Sequence, residues 1–273
     1  MGGCFGKTPD KYVDLLKAAY ASVKEVDRDG KVVTGGMALG QYIDPKEGPI
    51  FNTDFFDQVL ALGGGDYFDI ANIHYFSSQG GAWSSYGRDL IGKVTGVRQI
   101  MTRYGVTRPM MVTELGWTSS PKDSPDTPEM QARYVPKALA RGLAVDLYAM
   151  TWFSLKDWEG ADYPYGLMDV GGRLRPAYQA FQAAVSEFGD ATAIRPLAPG
   201  ELGVAGGVEG YAFSVGGKER WVIWAEGTNQ IHAMLPAGVF EARDKLGQAV
   251  TLPSGSSPKP IALGDSPLYI RFR

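Results

Sequence analysis

Residues 109–120, PMMVTELGWTSS, begin as a strand and stop on a charge. Met110, Met111 and Val112 make a short apolar run of the kind buried on both faces of a parallel sheet. Glu114 then sets a carboxylate beside the core, with Gly116 and Trp117 just after it. A charge next to a core strand is costly unless a partner or a reaction uses it. Glu114 is therefore the first candidate for chemistry, and its surroundings decide what it can do.

Working outward, strand-like and helix-like stretches alternate. Before Glu114 come a helix over Thr8–Asp27, a short buried strand over Lys31–Ala38, a helix over Asn52–Leu62 and a strand over Tyr67–Phe76. Tyr12, Leu15, Leu16, Ala19 and Val23 give the first helix its spacing. The loop SSQGGAWSSYG leads to a helix over Asp89–Tyr104. After Glu114 come a helix from Thr127, which Pro136 is expected to kink, a strand over Tyr148–Trp158 and a helix over Arg175–Phe188. Near-continuous apolar strands alternating with helices indicate a parallel sheet covered by helices, as a barrel or an open sheet. In either, chemistry gathers at the carboxyl ends of the strands. Those ends carry Gly35 and Gly36, His74 and Tyr75, Glu114 and Trp117, and Trp152 to Trp158. No G-x-G-x-x-G follows the first strand, which removes support for a dinucleotide fold.

Beyond about Gly189 the texture changes. AIRPLAPGEL is expected to be a linker, and short alternating runs follow: GYAFSV, RWVIWAE, IHAML, VFEARD, QAVTL, PIAL and LYIRF. Turn residues punctuate them as in a small antiparallel sandwich. The expected division is residues 1–190 for the α/β part and 195–273 for the β-sandwich.

Bulk properties exclude several function classes. The 273 residues are 44% hydrophobic and 21% charged, as in an ordinary soluble globular protein. A net charge of −3 without a long basic run argues against nucleic acid. No stretch approaches the roughly 18 apolar residues of a membrane span, and the first residues lack the pattern of a signal peptide. The compartment is not legible beyond that. Cys4 is the sole cysteine, and His74 and His232 are the only histidines, so neither a disulfide nor a metal cluster is expected. No cofactor is implied.

The succession LLKAAYASVK, KVVTGG, FDIANIHYF, PMMVTELGW, MTWFSLKDW and YGLMDVGGRLRPAYQAF resembles the second half of clan A glycoside hydrolases, families 39 and 5 in particular. The resemblance implies a (β/α)8 barrel, here its strands five to eight, with an appended β-sandwich, and hydrolysis of β-glycosides with retention. It implies that Glu114 is the nucleophile, that His74 and Tyr75 close the sixth strand, and that Trp152 is a platform under the sugar. Trp117 and Trp158 are candidates for outer subsites. The family's acid/base glutamate lies in an Asn-Glu-Pro motif, and this sequence contains no Asn-Glu pair. By this alignment the chain starts just after that motif; a complete barrel takes about 250 residues. Asp157, with Glu159 and Asp162, is the nearest stand-in acid.

Each candidate has a plain alternative. Glu114 can be a strand-end carboxylate paired to a base, His74 a core histidine, the tryptophans packing, and Asp157 a solvated loop residue; Trp221 and Trp224 are expected to pack. Partners implied are a β-glycoside or oligosaccharide and either a second copy or another chain that completes the barrel. In a symmetric dimer the partner's loop from Asp157 to Asp162 would stand in for the acid. The competing expectations are a carbohydrate-binding protein without catalysis, or an inactive barrel fragment.

Overall fold

The computed structural model describes residues 5–40, 43–44, 48–49, 52–120, 125–254 and 258–273; Cys4 lies outside them. In chain order the elements are α1 (Pro9–Val26), β1 (Ile43–Asp44), β2 (Gly48–Pro49), α2 (Phe55–Ala61), β3 (Ala71–Phe76), α3 (Asp89–Arg103), β4 (Met110–Gly116), α4 (Pro128–Ala144), β5 (Leu147–Trp152), α5 (Pro176–Phe188), β6 (Ala193–Pro196), β7 (Val208–Val215), β8 (Lys218–Ala225), β9 (Ile231–Leu235), β10 (Val239–Asp244), β11 (Ala249–Val250), β12 (Lys259–Leu263) and β13 (Leu268–Phe272). The chain is a mixed α/β protein. Its contacts group it into two units, residues 1–117 with 145–153 and residues 118–144 with 154–273.

The first unit is built on a parallel sheet in the order β3-β4-β5. Side chains alternate across it, as a pleated strand requires. Ala71, Ile73 and Tyr75 of β3 and Met110, Val112 and Leu115 of β4 are fully buried on one face, each large apolar group contributing roughly 1.5–3 kcal/mol. Residues 31–38 run alongside β3 without forming a continuous strand: they touch it in parallel bridges at Val33–Ile70 and Met37–Ile73. The expected strand there is reduced to those bridges, so three strands and a flanking ribbon stand where four strands were expected. Helix α1 buries Tyr12, Val13 and Leu16 against Val59 of α2, with Phe5, Phe55 and Tyr67 around them. The Ser77–Tyr86 stretch winds into 3-10 turns rather than an open loop. There Trp83 lies so close to α3 that a Cβ on Gly96 would come within 2.5 Å of its ring.

In the second unit α4 runs unbroken through Pro136 and packs on α5. Small residues of α5, Ala177, Ala180 and Ala184, are fully buried and allow close approach. The β-rich part holds a six-stranded antiparallel sheet, β11-β10-β13-β8-β7-β6, and a separate pair, β12-β9. Trp221, Ile223 and Ile270 of the large sheet share one core with Ala233, Leu235, Ile261 and Leu263 of the pair. AIRP, expected in a linker, is instead the strand β6, paired with β7 from Ala193–Ser214 to Pro196–Tyr211. The bond network is ionic where helices meet this sheet: Arg141 of α4 grips Glu209 of β7 at 2.6 and 2.8 Å, and Glu187 of α5 lies between Arg220 and Arg271. No helix among the described residues is long and apolar enough to cross a membrane.

Candidate active site

The site forms on the face of the first unit's sheet opposite its apolar core. Pairing of β3 with β4 runs Ile73 to Val112 and then His74 to Glu114. Pairing of β4 with β5 runs Val112 to Met150 and then Leu115 to Trp152. Both neighbours therefore place one extra residue in β4 just after Val112, and Thr113 is that residue. An extra residue makes two side chains oppose one, a device common beside active sites. Here Thr113 and Glu114 both reach the imidazole of His74. Glu114 Oε2 lies 3.1 Å from Nδ1, and Thr113 Oγ1 lies 3.2 Å from Nε2.

Behind this trio stands Asn72, nearly buried. Its Oδ1 accepts the Thr113 backbone N–H at 3.1 Å, and its Nδ2 donates to Thr113 Oγ1 at 2.8 Å. Thr34 Oγ1 accepts the Asn72 N–H at 2.8 Å. Space for the imidazole comes from Gly36, where a Cβ would fall 1.7 Å from His74 Nε2. Only glycine fits there.

Lys93 of α3 is fully buried. Its ammonium donates to the carbonyl oxygens of His74, at 2.7 Å, and Ala38. Burial pulls its pKa down to about 7. His74 is held down at about 4, by burial first and then by the Lys93 charge. Burial pushes the Glu114 carboxyl above its ordinary range. With the imidazole neutral at pH 7, the His74–Glu114 contact is a hydrogen bond rather than an ion pair. Glu114 keeps about a third of its side chain open to solvent, so a ligand can reach it.

The other candidates fall out differently. Tyr75 points into the core, fully buried, and its hydroxyl donates to Asp89 at 2.5 Å; alternation puts it on the far face from His74, so it is not a substrate contact. Trp152 ends β5 opposite Leu115 and is 7% exposed. Trp117 follows β4, half-buried. In the second unit Asp157 is not a solvated acid. Its side chain is 2% exposed and bonded to Arg175 at 2.5 Å, and it accepts the Gly166 N–H at 2.7 Å. Trp158 is half exposed and, with Pro164, Asp169 and Arg173, lines a cavity of about 370 Å³ in that unit. Among the described residues no three His, Cys, Asp or Glu side chains cluster as a metal site.

No family model matches the chain, and no curated protein matches it in sequence. Solved structures match it in fold. A family 39 glycoside hydrolase from the gut symbiont Bacteroides cellulosilyticus is 19% identical, with a TM-score of 0.74 over 100% of this chain and 57% of that one. A glucosidase from Croceicoccus marinus is 16% identical, with a TM-score of 0.64 over 97% of this chain and 65% of that one. A family 30 endoxylanase from Clostridium papyrosolvens is 11% identical, with a TM-score of 0.58 over 97% and 61%. The chain thus spans less than two thirds of the length of each. In fold it resembles the clan A glycoside hydrolases.

Proposed function

We propose that this chain is the nucleophile-bearing portion of a retaining β-glycosidase, with Glu114 as the nucleophile. The observation that carries the reading is the position of Glu114: a partly open carboxylate at the carboxyl end of a parallel strand, hydrogen-bonded to a neutral histidine, in a fold like that of family 39 and family 30 enzymes. Ionised Glu114 attacks the anomeric carbon, a glycosyl ester forms and the leaving group departs; water then cleaves the ester. Burial opposes ionisation of this carboxyl, and the His74 hydrogen bond offsets only part of that cost. Trp152 is proposed to form the platform under the sugar ring, and Trp117 to line an outer subsite.

The acid/base is proposed to come from outside this chain. Asp157 is bonded to Arg175 and is not proposed for that role. A second copy or a chain carrying the missing strands is the proposed partner, because β5 pairs only with β4 among the described residues and leaves a strand edge. Residues 1–190 then act as a partial (β/α)8 barrel and 195–273 as an appended β-sandwich.

The test is intact mass after incubation with 2-fluoro-2-deoxy β-glycosides carrying dinitrophenyl leaving groups, which depart without protonation. A glycosyl adduct on the chain that is lost in Glu114→Gln supports the reading and names the sugar. A folded chain that forms no adduct with any sugar points to carbohydrate binding without catalysis or to an inactive barrel fragment.

A further inference from the structure

The hydrogen bonds around His74 leave a choice that the geometry itself makes. The Asn72 amide is oriented by its neighbours: the backbone N–H of Thr113 can only donate, so the atom facing it is Oδ1. Nδ2 is then the atom that donates to Thr113 Oγ1, at 2.8 Å. Thr113 has one hydroxyl hydrogen left and two acceptors in reach, Asn72 Oδ1 at 3.1 Å and His74 Nε2 at 3.2 Å.

If the hydroxyl turns to Asn72, Nε2 carries the imidazole hydrogen. Bare Nδ1 then faces the Glu114 carboxylate at 3.1 Å, acceptor against acceptor. If it turns to Nε2, the one hydrogen of the neutral ring sits on Nδ1 and points at Oε2. Asn72 Oδ1 already has the Thr113 backbone N–H, so this arrangement leaves no acceptor empty and no pair of acceptors facing. Gly36 closes the space beyond Nε2.

We infer that Thr113, its hydroxyl oxygen held by the Asn72 amide, donates its hydrogen to Nε2 of the His74 tautomer whose Nδ1–H is presented to Glu114. Thr113 is thus a positioning residue: it touches no substrate, and it acts by anchoring the far nitrogen of the imidazole whose Nδ1–H faces the carboxylate. The doubling of side chains opposite His74 gives the extra residue in β4 this task. The tautomer itself does not depend on the glycosidase reading; only its consequence, a nucleophile kept ionised, rests on that reading.

The chain has only two histidines, His74 and His232, so nitrogen NMR of the full chain labelled with 15N-histidine reads the site directly. His232→Gln assigns the signals. At neutral pH the expected His74 pattern is a pyrrole-like Nδ1 and a pyridine-like Nε2. Thr113→Ser keeps that pattern; Thr113→Val, nearly equal in shape, keeps Nδ1–H against the Glu114 carboxylate but moves the Nε2 signal downfield, to the position of an imidazole nitrogen that accepts no hydrogen bond. A wild-type chain with the hydrogen on Nε2 overturns the inference, as does an Nε2 signal that stays where it was in Thr113→Val. Should Thr113→Val fail to fold, the wild-type pattern and its retention in Thr113→Ser still decide the assignment. In a chain that forms the glycosyl adduct, Thr113→Val slows labelling by roughly fivefold, the scale of one neutral hydrogen bond that holds the ring. Because the tautomer is recorded without sugar, absence of any adduct leaves it standing and counts against the glycosidase reading alone.

Discussion

His74 and Glu114 stand opposite each other on neighbouring parallel strands, 3.1 Å apart, with Thr113 inserted beside them as a second residue facing the same imidazole. In a regular strand Thr113 and Glu114 would point to opposite faces. The extra residue lets both serve one ring.

Glu114 stays in the folded chain at a cost. Its raised pKa means that the folded state resists ionisation that the unfolded chain accepts freely. The penalty is present at neutral pH, fades as pH falls through the raised folded value, and is gone below the ordinary carboxylate value of 4.5. Glu114→Gln, which keeps an acceptor for His74, is therefore expected to melt at a higher temperature than wild type near pH 7. That advantage shrinks in acid. Equal melting temperatures at neutral pH would contradict the assignment of a burial cost to this carboxyl.

Gly36→Ala is expected to dislodge His74, because the added methyl occupies the position of Nε2. Overpacking of this kind costs about 1–3 kcal/mol, read as a shift in denaturation midpoint. The NMR signature of His74 changes with it. Gly81→Ala, where a Cβ meets nothing within 4 Å, is the control and should stay within about 0.5 kcal/mol of wild type.

Two buried bases give the stability curve two rising segments. Between about pH 4 and 6.5 the unfolded chain binds a proton at its His74 that the folded chain refuses, so stability rises with pH across that window. Lys93 does the same between about pH 7 and 10.5. In Lys93→Met the alkaline segment should become shallower, with Lys137, which burial holds at about 8, keeping its own share, while the acidic one persists. Urea titrations at several pH values check both, and an unchanged alkaline slope would refute the buried-amine account.

Asp157 serves the fold of its own unit. Removing one partner of a buried pair leaves the other charge stranded, at a cost of about 3–5 kcal/mol. Asp157→Ala is expected to lose that much stability, and Asp157→Ala with Arg175→Met to recover part of it. If the chain forms a glycosyl adduct, the folded fraction of Asp157→Ala should form it at an undiminished rate. A lost adduct in a folded variant would return Asp157 to the reaction.

Helices were the most legible part of the sequence. The spacing of Tyr12, Leu16 and their neighbours matches α1 within a residue or two, and RPAYQAF opens α5 as expected. The strand carrying Glu114 and its neighbour carrying His74 were also readable, because a carboxylate and a histidine stood at equivalent strand ends. Thr113 left a trace that went unused: burial at Met110 and Val112 resumes at Leu115, not at Glu114, so the alternation slips by one. Lys93 sat on the apolar stripe of Leu90, Val94, Val97 and Met101, yet a lysine on a helix is ordinarily a surface residue. Asp157 finds its partner Arg175 through a turn that no local pattern announces. Strand β6 looked like a linker because it is short, ends in proline and shows no buried alternation.

Strand β13 is the later consequence of the fold. It lies between β8 and β10 in the six-stranded sheet, so residues 268–272 join two blocks made entirely of earlier sequence. Until they arrive, β8 and β10 are both open edges, and the Glu187 carboxylate lacks the Arg271 that grips it at 2.6 Å. The sheet is thus closed from its middle, by long-range pairing that is slow to find. Synthesis of this unit passes through an interval in which its most apolar strand, RWVIWA, stands unpaired on one side, and that interval is where aggregation competes with folding.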